Sequence, residues 1–187
     1  MKIALIVIIV IAAIIVIWFI AGYNGFVKAK NNVEESFSTM DVYLKKRFDL
    51  IPNLVETVKG YAAHESGTLQ KVVEARQFSQ DAKSVEEAAK ADNMLTGALR
   101  SLFAVAEAYP DLKANQNFLD LQRQLNEVEQ DIANSRKYYN GCVKEFNNKC
   151  MMFPSNIIAG MFHFTKQPMF EVEDETEREN VKVSFNS

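Results

Sequence analysis

From Ile3 to Ala21 the chain reads IALIVIIVIAAIIVIWFIA, 19 consecutive apolar residues. As a helix that stretch spans roughly 28 Å, the depth of a bilayer's hydrocarbon core. The pattern then changes. Val33, Phe37, Met40, Leu44, Phe48, Ile51, Val55, Val58 and Ala62 recur at spacings of three and four, which predicts a helix with a single apolar seam. Only Gly22 and Gly25 separate the two, so the apolar segment is expected to run into this helix with a bend rather than through a flexible linker. Pro52 lies mid-pattern and lacks a backbone donor, which predicts a kink near residues 48–52. Gly60 and Gly67, with His64-Glu65-Ser66 between them, mark the end of this helix and a reversal of the chain.

A second helical stretch uses Leu69, Val72, Val73, Arg76 and Phe78 before the polar run Ser79–Ser84 interrupts it. Ser84 followed by Glu86 and Glu87 reads as an N-cap with acids in the first turn, where the helix dipole favours them. The third helix is expected from about Val85 to Ala108, stopped by Tyr109-Pro110-Asp111. The last is the most regular: Phe118, Leu121, Leu125, Val128, Ile132, Ser135, Tyr139, Cys142, Phe146 and Cys150 form a heptad stripe. Phe153-Pro154 ends it, and Ser155 is placed as the cap of a short apolar turn, Asn156 to Phe164, that folds back. Seven Gly and four Pro are few for 187 residues, which argues against a turn-rich β fold. The expected class is all-α: an N-terminal transmembrane helix, an elongated antiparallel four-helix bundle, and a short irregular or strand-like C-terminal tail. The corresponding divisions are an anchor at 1–25, a helical domain at 26–165 and an acidic tail at 166–187. In that tail Glu171 to Glu179 reads as a solvated run, and Val181 to Phe185 alternates like a strand that could pair with Met169 to Val172.

A cleaved signal peptide competes with the anchor, but it needs a shorter apolar region and small residues before the cut. A cut after Ala21 puts Phe19 at −3, so the uncleaved anchor is favoured, with Ile3 near its start and Trp18, Phe19 and Tyr23 as interfacial rings. Lys2 on one side opposes Lys28 and Lys30 on the other, which leaves orientation nearly balanced. Cys142 and Cys150 stand eight apart on one helix, roughly 12 Å, too far for a disulfide. Unpaired thiols tilt the choice to a cytoplasmic domain.

The search for chemistry returns little. Two histidines exclude a His-rich metal site, and His64-Glu65 fails as a zinc-protease motif because Thr68 stands where the second histidine is needed. No phosphate loop or nucleophile elbow is present, and Glu127, Glu129, Asp131 and Arg136 lack the histidine of a di-iron pattern. No enzyme activity, cofactor or metal is expected. Lys28, Lys30, Lys45 and Lys46 are candidates for anionic headgroups. Removing the three positive charges of Lys2, Lys28 and Lys30 from the net −3 leaves the remainder near −6, the wrong sign for nucleic acid.

The run Asp41-Val42-Tyr43-Leu44-Lys45-Lys46-Arg47-Phe48-Asp49-Leu50-Ile51-Pro52-Asn53-Leu54-Val55 resembles the LemA family of bacterial membrane proteins. So do Tyr109-Pro110-Asp111-Leu112, Arg136, Tyr139-Asn140, Phe146-Asn147 and Phe153-Pro154-Ser155-Asn156-Ile157-Ile158-Ala159. The resemblance implies one N-terminal anchor, a helical-bundle domain and no accepted enzymatic activity. A related protein takes part in forming magnetosome membranes, which suggests a membrane-organising role. The family often carries glycine where this chain has His163, and its usual tail is less acidic. The leading expectation is a self-associating, homo-oligomeric scaffold on membrane lipid. The alternative is a tethered adaptor that recruits a protease or signalling partner at the membrane through Arg47, Asp49, Asn53, Arg136 and Asn140. Those polar residues have a plainer reading too, as hydrogen-bonded pairs that fix helix register.

Overall fold

The computed structural model describes residues 1–171, so most of the acidic run and the strand-like end fall outside the described residues. The described chain is all-α, with α1 (Lys2–Tyr61), α2 (Ser66–Asp81), α3 (Val85–Ala106), α4 (Pro110–Lys113), α5 (Gln116–Met151) and α6 (Ser155–Met161). The apolar segment and the seamed helix are one element, since α1 continues through Gly22, Gly25 and Pro52 alike. α3 ends two residues before the expected Ala108, and Pro110 opens α4 rather than a plain loop.

The chain divides into two compact units: Leu44–Glu129 with Phe170, and Met1–Tyr43 with Gln130–Met169. In the first, Ile51, Leu54 and Val58 of α1 close with Leu69 and Val72 of α2, Leu95, Leu99 and Leu102 of α3, Leu112 of α4, and Phe118 and Leu125 of α5. Helix ends are satisfied locally. The Ser84 hydroxyl accepts from Glu87 N–H at 3.1 Å while the Glu87 carboxylate accepts from Lys83 N–H at 2.6 Å. Asn115 caps α5 through a bond from Phe118 N–H at 3.0 Å.

Pro52 is accommodated without interrupting α1, and the reason is visible one turn earlier. A proline at 52 leaves the Phe48 carbonyl without its usual helical donor. Arg76 of α2 supplies one: its Nε–H donates to Phe48 O at 3.3 Å while its guanidinium lies 3.8 Å from the centre of the Phe48 ring.

In the second unit Phe26 stacks on Phe164 (4.8 Å, 9°) and meets Phe146 edge-on (6.1 Å), and Phe37 meets Tyr139 (5.7 Å). Non-helical residues 162–169 are gripped by α5. Asn147 Nδ2 donates to Gln167 O (2.9 Å), Asn147 Oδ1 accepts from Gln167 N–H (2.8 Å), and Tyr139 Oη donates to Pro168 O (2.9 Å). Ser155 does not cap α6 as expected; its hydroxyl turns back to the carbonyls of Lys149 (2.7 Å) and Met152 (2.8 Å), and Pro154 holds the N-cap position. At the other end of α6, His163 has φ 57° and Phe164 N–H donates to Ala159 O at 3.0 Å, a Schellman closure. Glycine would enter that left-handed region at no steric cost.

Candidate functional site

Among the polar candidates, Arg47 is the one the fold encloses. It occupies the apolar seam of α1 and is 1% exposed. Its Nη2 donates to Asp92 Oδ1 of α3 at 2.5 Å, and its Nη1 to Glu129 Oε1 of α5 at 2.7 Å and to Thr96 Oγ1 at 3.2 Å. Arg47 Nε is buried without a partner. The planar guanidinium suits two carboxylates from two helices, so the cluster fixes the register of α1, α3 and α5 in this unit. Asp92 is as enclosed as Arg47, whereas Glu129 is 36% exposed on its side chain.

The other polar candidates are distributed differently. Asp49 and Asn53 are exposed on α1, and Asp49 accepts an ion pair from Lys45 at 3.0 Å. Arg136 and Asn140 are half-buried on α5 in the second unit. The basic candidates Lys28, Lys30, Lys45 and Lys46 are exposed, with Lys30 3.7 Å from Glu34. Cys142 and Cys150 are free thiols on α5, and burial pushes the Cys150 thiol up from its ordinary value. Among the described residues no group of three or more His, Cys, Asp or Glu is placed to hold a metal ion. A shallow groove between α2 and α3, lined by Lys71, Glu74, Met94, Gly97 and Ser101, gathers no convergent polar set.

The anchor candidates occupy the start of α1. Every side chain from Ile3 to Trp18 is exposed, and the segment is long and apolar enough to cross a membrane. Phe19 packs 5.7 Å from Phe162 and edge-on to Trp18, and Tyr23 lies 4.6 Å from Phe162. Sequence reasoning did not assign Asn147 and Tyr139 their grips on residues 167 and 168. Asn147 entered only as part of the Phe146-Asn147 pair of the resemblance, and its target is backbone with no sequence signature.

Comparison with known proteins bears on this arrangement directly. The profile described as the LemA family matches residues 36–185. The chain belongs to the LemA family. It is 25% identical over 170 residues to Protein LemA of Metamycoplasma hominis, covering 89% of this chain and 76% of that one. It is 26% identical over 192 aligned positions to Magnetosome protein MamQ 2 of Paramagnetospirillum magneticum, covering 87% of this chain and 71% of the relative. Magnetosome protein MamQ of Magnetospirillum gryphiswaldense is 23% identical over 174 residues, with 79% and 64% covered. The LemA match includes the Arg47 cluster, the Phe48–Pro52 compensation and the Tyr139 and Asn147 grips, and it begins after the apolar start of α1. The described residues of this LemA family chain are all-α, with an N-terminal helix whose apolar part has membrane-spanning length.

Proposed function

We propose that this LemA family protein is a non-enzymatic membrane scaffold, anchored once through residues 3–21 and self-associating through its helical part on the cytoplasmic side. The observation that carries the reading is α1. An apolar stretch of bilayer length, exposed from Ile3 to Trp18, and a seamed, folded helix are one continuous element, so displacement of the folded part is coupled to the anchor. Lys28 and Lys30, exposed within three turns of the apolar stretch, meet anionic headgroups. That relatives are named as magnetosome proteins supports a role at a membrane.

The test is a flexible Gly-Ser insertion after Gly25, which interrupts α1 between anchor and folded helix. In protein reconstituted into vesicles, assemblies seen by electron microscopy should disperse while helicity by circular dichroism stays intact. Unchanged assemblies would count against the coupling.

A further inference from the structure

A second apolar surface stands beside the anchor, and no charge interrupts it. Between Lys149 and Lys166 the chain has no Asp, Glu, Lys or Arg. Within that stretch Met151, Met152, Phe153, Ile157, Met161 and Phe162 are exposed, Phe153 to 79% and Met152 to 62%. Only Ile158 and Ala159 of α6 turn inward. Isolated exposed apolar residues are ordinary, but a contiguous set without a charged neighbour marks a contact surface.

The position of α6 says what that contact is. Gly22 has no side chain, and a Cβ built there would stand 2.2 Å from Ile158 Cδ1, so α6 seats directly against α1 at that turn. Phe162 then reaches Phe19, inside the Ile3–Ala21 apolar stretch. Whatever medium surrounds Phe19 also surrounds Phe162. Lys149, near the end of α5, marks the polar side of this surface: its Nζ donates to Gly25 O at 3.2 Å, one turn beyond the apolar stretch.

We infer that Met151–Phe162 is a second membrane contact, an in-plane apolar wedge set into the leaflet beside the emerging end of the anchor. It rests on the anchoring reading above and deepens it. Aromatic and long apolar side chains facing the acyl boundary, with lysines at the headgroup level, are the chemistry of an interfacial segment. Two contacts on one face of the bilayer would hold the folded part at a set tilt, which a single spanning helix does not do.

Depth-resolved quenching in the full chain tests it. An environment-sensitive fluorophore is placed on Ile157→Cys, Ile9→Cys or Tyr138→Cys, each in a Cys142→Ser/Cys150→Ser background, reconstituted into phosphatidylethanolamine and phosphatidylglycerol vesicles. The label at 157 should emit blue-shifted light and lose intensity with shallow nitroxide lipid, the label at 9 with deep nitroxide lipid, and the label at 138 with aqueous iodide. Phe153→Glu with Met161→Glu, both at exposed positions, should reduce the lipid quenching at 157 while helicity stays unchanged. A water-like, iodide-quenched label at 157 beside a lipid-quenched label at 9 overturns the wedge and leaves the anchor standing. A label at 157 shielded from both quenchers also overturns it, since protein then covers the surface. Loss of lipid quenching at 9 removes the anchoring reading and the wedge with it.

Discussion

Leu44–Glu129 closes around aliphatic side chains from α1 to α5 and one enclosed arginine, whereas Met1–Tyr43 with Gln130–Met169 closes around stacked rings and side-chain grips on a non-helical segment. Their surfaces differ accordingly. Among the described residues, the large exposed apolar side chains of the first unit are Tyr61, Val73, Met94 and Leu119, scattered over α1, α2, α3 and α5. Those of the second run almost continuously along the start of α1 and recur from Met151 to Phe162. The first unit thus exposes its large apolar side chains singly, and the second exposes them in contiguous runs.

The sharpest way to break the contrast is to unbalance the first unit. Arg47→Ala takes the buried guanidinium away from Asp92, Glu129 and Thr96 at once, and should cost about 3–5 kcal/mol by denaturant unfolding of the full chain in micelles. Arg47→Met combined with Asp92→Leu should recover most of that loss, because both members of the buried ion pair are then replaced by apolar side chains. In the second unit, Asn147→Ala removes both bonds to Gln167 and should weaken the hold on residues 165–168 by about 1–3 kcal/mol. That change is read as faster hydrogen exchange and proteolysis there, with no change near Arg47.

A smaller effect separates a proline's cost from its remedy. Arg76→Ala should cost about 1 kcal/mol in the native sequence. It should cost measurably less in a Pro52→Ala background, where Phe48 O regains a helical donor, so a double-mutant cycle reports the coupling. His163→Gly relieves the left-handed backbone after α6 and should raise stability by up to about 1 kcal/mol, the gain being limited by the freer unfolded chain. Least in size is a pH effect in the first unit. The Glu65 carboxylate accepts from Tyr109 Oη at 3.0 Å and holds the phenol above its ordinary value. The bond's contribution is complete below the phenol's usual titration and is lost as pH rises through the raised value, so denaturant midpoints should fall only in strongly alkaline buffer.

Periodicity made the helices legible because each buries one stripe, and a stripe is written at spacings of three and four. It failed where the buried residue is polar: Arg47 sits on the seam with Ile51, Leu54 and Val58, while Phe48 and Val55 are only half-buried beside it. It also placed Cys142 and Cys150 in the stripe of α5, where Val143 is the fully buried residue and both thiols lie at its margin. The helix continues through Pro52, and the donor that replaces the missing one comes from Arg76, 24 positions along the chain. The site candidates were legible as residue types only, since what surrounds Arg47 or grips Gln167 depends on pairings between distant segments.

The measurement closest to the central claim is the particle mass of the full-length protein extracted in mild detergent, beside a version that starts at Phe26 and lacks the apolar segment. Anchored self-association predicts a large, ordered assembly for the full chain and a much smaller particle for the shortened one. Single chains in both preparations would contradict the scaffold and turn the search to an adaptor and its partner.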